Sequence, residues 1–212
     1  MNKGFTLIEL MVSVTIFIVV MVIALGSLLS ISEAERKAET LKTVMNNLNF
    51  GLESMARSIR IGTYYHCGST GIIDEPQDCD ITGQDYFAFE PVTGNPGDPD
   101  DQVVYRLESG TICGEGSIGG FITVSKNGGT INTFSALTSR EVNITNLTFY
   151  VVGSVPEFID DNDNRQPKVT ITMHGSIPSG ASQTTEFSLQ TSVTQRIYAQ
   201  ELQNSRTRIV AC

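Results

Sequence analysis

The chain reads as an α+β protein: a long N-terminal α-helix, its first half membrane-spanning, packed on an antiparallel β-sheet globular domain. Three observations predict this. From Phe5 to Ile31 the run carries a single charged side chain, Glu9. An apolar stripe follows at Leu41, Val44, Met45, Leu48, Leu52, Met55 and Ile59. After Gly62 the texture changes to short β-like runs separated by turn residues. A helix followed by many strands is the pattern of α+β architecture.

The apolar run exceeds the roughly 20 residues that cross a bilayer. Steps of three and four in the following stripe mark an amphipathic helix. Glu33/Lys37 and Glu53/Arg57 stand i,i+4 in the favourable order. The first proline is Pro76, so no helix breaker interrupts the run. One helix is therefore expected from Phe5 to Ile61, roughly 85 Å long at 1.5 Å per residue. Gly26 is a place for a bend, and Gly62 is a stop signal.

Six strands are expected beyond it: Asp85–Pro91, Gln102–Leu107, Phe121–Lys126, Glu141–Val152, Pro167–His174 and Thr185–Ile197. Val169 to Met173 alternates as a half-buried antiparallel strand does. The Gly- and Asp-rich stretches 93–101 and 114–120 punctuate them. The expected divisions are 1–4 leader, 5–31 membrane-spanning helix, 32–62 amphipathic helix, and 63–212 β-rich exported domain.

A net charge of −9 and a pI near 4.7 argue against a generally basic nucleic-acid face, leaving only local basic patches open, and no nucleic-acid partner is expected. Four cysteines (Cys67, Cys79, Cys113 and Cys212) lie outside the span. In an exported domain they suggest two bridges, with three connectivities open. The shortest pairing joins Cys67 to Cys79 and leaves Cys113 for Cys212. Lys3 before the span keeps that end cytoplasmic, so the domain faces the periplasm or the exterior.

A carboxylate inside a membrane helix costs about 2.5–3.5 kcal/mol on insertion scales and normally marks a function with a partner. No cation lies in the same span. The short polar leader Met1-Asn2-Lys3-Gly4, then Phe5, then Glu9 in an apolar helix resembles the N-terminus of type IV prepilins and type II secretion pseudopilins. The resemblance implies cleavage between Gly4 and Phe5 by a prepilin peptidase, N-methylation of Phe5, and pairing of Glu9 with a neighbouring subunit's N-terminal amine. It also implies other pilins or pseudopilins, an inner-membrane assembly platform and membrane lipid as partners. Residues Asn143 to Val151, Pro167 to Ile171 and Phe187 to Arg196, with the helix end Leu52 to Arg60, are similar to J-type minor pseudopilins and W-type minor pilins. That implies a low-copy subunit that initiates or caps a pilus or secretion filament.

Other chemistry finds less support. Asp160, Asp161 and Asp163 stand in an oxygen-rich segment suited to calcium, but the EF-hand glycine and closing glutamate are missing. An acidic turn is the expectation there, and for Asp98, Asp100 and Asp101. No other cofactor is expected. His66 and His174 have no nucleophile motif around them, and no catalytic residue is expected. Two further readings stay open, a filament-tip binding subunit (adhesin or DNA uptake) and a membrane-anchored exported enzyme.

Overall fold

A computed structural model describes residues 4, 6–111, 118–140, 142–155, 165–178 and 184–196. It contains a helix, α1 (Leu7–Ile61), followed by strands β1 (Thr63–Cys67), β2 (Tyr86–Glu90), β3 (Val103–Thr111), β4 (Ile118–Ser125), β5 (Ser135–Ala136), β6 (Asn143–Val152), β7 (Lys168–Pro178) and β8 (Thr184–Thr194). The chain divides into two compact units, Met1–Thr43 and Val44–Cys212.

The first unit is helical from Leu7 onward, and the apolar stretch that could cross a membrane has none of its residues buried. The second unit opens with the last turns of α1. There Val44, Leu48, Leu52, Met55 and Ile59 are buried, as the stripe predicts. Leu41 and Met45, also in the predicted stripe, are only half-buried.

Among the described residues the named strands pair antiparallel, with one parallel bridge from His66 to Gln77, and they form two sheets where one was expected. Sheet A has the order β1-β2-β3-β4-β5 and sheet B the order β6-β7-β8. They meet where Gln84 bridges Phe149, through N–H···O bonds of 3.0 and 2.7 Å. Rings from both sheets fill the junction, with Phe87 stacked on Phe149 at 5.2 Å and Tyr65 tilted against Phe87 at 5.7 Å. Strand β2 is buried on both faces from Phe87 to Glu90, which fits its inner place in sheet A.

Two strands escaped the sequence reading. Strand β1 is bulged between Thr63 and His66, with Tyr64 at a φ of 52°, so it shows no clean alternation. Strand β5 is only two residues long.

The helix does stop before Gly62, for a different reason than expected. Gly62 does not take the left-handed conformation; a Cβ there would lie 2.2 Å from the Phe89 ring. The last-turn carbonyls that a helix leaves unpaired are met from elsewhere in the unit. The Tyr65 hydroxyl donates to the Ile59 carbonyl at 2.7 Å, and the Arg196 N–H to the Arg60 carbonyl at 2.9 Å. The Gln195 amide donates to the Gly62 carbonyl at 2.9 Å. Burial pushes the Tyr65 hydroxyl's pKa above its ordinary value.

Candidate functional site

The start of α1 is built from a Thr-x-x-Glu pattern, Thr6-Leu7-Ile8-Glu9. The Glu9 N–H donates to the Thr6 hydroxyl at 3.4 Å, and the Leu10 N–H to the Thr6 carbonyl at 3.2 Å. Thr6 is thus the N-cap, and Glu9 is the residue three places on that a capping box uses. A carboxylate in the first turn is also favoured by the positive end of the helix dipole. Thr6 was missed in the sequence reading, although this spacing is itself a known start signal.

Every described side chain from Gly4 to Arg36 is exposed. Leu7 is 79 % and Phe17 62 % accessible, so among the described residues of the first unit this surface has no cover. An apolar surface this long needs lipid or other helices around it. The polar residues fit such a medium. Ser13 returns its hydroxyl to the Leu10 carbonyl at 2.9 Å, and Thr15 to the Met11 carbonyl at 2.8 Å, so neither hydroxyl stands unpaired on this apolar surface. Glu9 differs: among the described residues its carboxylate has no cationic partner. Phe5 lies outside the described residues, and Gly4 is exposed just ahead of the cap.

In the second unit Cys67 and Cys79 form a disulfide that closes the loop after β1. Cys79 is fastened to the rim of sheet B, its N–H donating to the Val151 carbonyl at 3.1 Å and its sulfur accepting from the Val151 N–H at 3.0 Å. His66 is 1 % exposed. Its Nδ1 lies 2.8 Å from the Glu75 carbonyl and its Nε2 3.0 Å from the Thr70 carbonyl. Both ring nitrogens face carbonyls of this loop, and the one that bears the N–H donates to its carbonyl. Cys113, Cys212, Asp160, Asp161 and Asp163 lie outside the described residues. Asp98 and Asp101 are described and sit in the turn between β2 and β3. There Asp98 accepts the Asp100 N–H at 3.1 Å, and Asp101 accepts the Asn95 N–H at 2.7 Å.

Comparison with known proteins agrees with this geometry over a short stretch. Residues 1–25 match the prokaryotic N-terminal methylation motif, so the chain carries the type IV prepilin-like signal. The match covers residues 1–4, Phe5, the Thr6 cap, Glu9 and most of the apolar run. No curated protein and no solved structure matches the chain.

Proposed function

We propose that the chain is a structural subunit of a type IV pilus or type II secretion filament, a minor pilin or pseudopilin that helps initiate or cap it. The observation that supports this best is the placement of Glu9. It stands in the first helical turn within a methylation motif, on a span whose apolar side chains are all uncovered. Cleavage between Gly4 and Phe5 by a prepilin peptidase would create an amine one residue before the Thr6 cap. In a neighbouring subunit that amine meets Glu9. At about 4 Å and an effective dielectric near 20 the attraction is about 4 kcal/mol before desolvation. Misaligned helices would leave both charges unpaired, so the pair also sets register.

The helices then pack laterally through their apolar sides, and the β-rich unit is carried outside the membrane. We assign the chain no reaction of its own. Its expected partners are the peptidase, other pilins, the membrane assembly platform and lipid.

Mass spectrometry of the mature chain should find methylated Phe5 at the N-terminus; an intact Met1 would sink the reading. Glu9→Ala should leave processing intact and abolish entry into filaments, while Thr6→Ala should only weaken it. Equal losses in the two variants would mean that Glu9 merely starts the helix.

A further inference from the structure

Among the described residues, the buried side-chain atoms without a hydrogen-bond partner are Asp74 Oδ1, Glu90 Oε1, Asp101 Oδ1 and Gln102 Oε1. All four are oxygens that can only accept unless protonated. Buried polar groups are nearly always paired, and an exception calls for an ion or a water. Two of these residues are sealed from solvent: Glu90 is 2 % and Gln102 0 % exposed.

Contacts tie three of them to one place. Glu90 ends β2, and Gln102 immediately precedes β3. The Gln102 amide donates to Glu90 Oε2 at 2.5 Å, which leaves one oxygen of each side chain over. A Cβ on Gly94 would fall on Glu90 Oε1, so the turn after β2 lies against that oxygen. The next residue, Asn95, donates its N–H to Asp101 Oδ2 at 2.7 Å. The two-residue stretch of Gly94 and Asn95 therefore touches both carboxylates. Asp98 and Asp74 add further negative charge around Glu90.

We propose that Glu90, Asp101 and the Gln102 amide oxygen form a calcium site in the β2–β3 turn, completed by backbone oxygens of residues 91–101 and by water. Calcium takes six to eight oxygens in irregular geometry, carboxylates, amides and carbonyls among them. Magnesium demands a near-ideal octahedron and gives up its own waters reluctantly. No described group of three or more His, Cys, Asp and Glu side chains is arranged to hold an ion. The proposed set is two carboxylates with neutral oxygens, the charge count of a weak site, about 10⁻⁴–10⁻³ M as in extracellular modules. A proton on Glu90 is the competing explanation. It removes one charge but leaves at least two of the four oxygens unmet. The site lies within the second unit and does not depend on the filament reading.

The test is thermal unfolding of the full chain in detergent at pH 7.5, in chelator and in 10 mM calcium chloride. Calcium should raise Tm by about 3–10 °C, with a smaller rise in 10 mM magnesium chloride. Glu90→Gln, close to isosteric, should remove most of the calcium response. Asp101→Asn, which can still accept the Asn95 N–H, gives the same reading should Glu90→Gln fail to fold. No response in the unsubstituted chain, or an equal response in every folded variant, overturns the proposal.

Discussion

Leu28 and Leu48 lie on the same helix twenty residues apart, yet they meet different surroundings. Leu28 is 63 % exposed and Leu48 fully buried. Both are leucines with the same helix propensity, so propensity does not separate them. The difference is what each half of α1 faces. From Leu7 to Ile31 the apolar residues surround the axis, which suits an apolar medium. From Val44 onward the buried apolar residues recur at 44, 48, 52, 55 and 59, with mostly polar residues between, which suits a helix with one covered side. One continuous element is thus written for two solvents.

The contrast is broken most strongly in the core. Leu48→Ala should destabilise the second unit by about 2–5 kcal/mol, whereas Leu28→Ala should stay within about 0.5 kcal/mol. Denaturant unfolding of the full chain in detergent, followed by near-UV circular dichroism of the tyrosines, measures both. Equal effects would mean that the two halves share one environment. Next comes the loop after β1. Reduction, or Cys67→Ser with Cys79→Ser, should cost about 3 kcal/mol, as expected for a loop of this size. It should leave the first unit helical by far-UV circular dichroism.

The smallest effect concerns Glu90, whose carboxyl is pushed up to about 7 by burial first, then by Asp101, Asp98 and Asp74. A carboxyl raised in the folded state binds its proton more tightly there than in the unfolded chain. Its contribution is complete below about pH 4.5 and is lost as pH rises through about 7. In chelator, Glu90→Gln should therefore remove a fall in stability of about 1–3 kcal/mol between pH 5 and 8. A fall of unchanged size in the variant would assign the pH dependence to other groups.

Much of this was legible in the sequence, because the signals involved are local. The span, the stripe and the alternation from Val169 to Met173 depend only on spacing, and each reappears in the structure. Strand β1 was not legible, since its bulge and the positive φ of Tyr64 erase the period of two. The split into two sheets was equally hidden. It depends on long-range contacts such as Phe87 on Phe149, to which no local pattern points. The candidate sites divide along the same line. The spacing of Gly4, Phe5 and Glu9 was readable, and Thr6 could have been. Glu90 lay unremarked inside the expected strand Asp85–Pro91, and only its pairing with Gln102 and the covering turn at Gly94 show it to be buried.

The bonds at the end of α1 also bear on timing. A chain delivered from its N-terminus presents Ile59, Arg60 and Gly62 early, whereas Gln195 and Arg196 arrive more than 130 residues later. Until then the Arg60 and Gly62 carbonyls have only water or provisional partners. The closing step of folding thus waits for nearly the whole chain, and such distant contacts form slowly. A truncation ahead of Gln195 should therefore leave a helix whose last turn frays and a sheet B that has lost these bonds to it, even with every strand present.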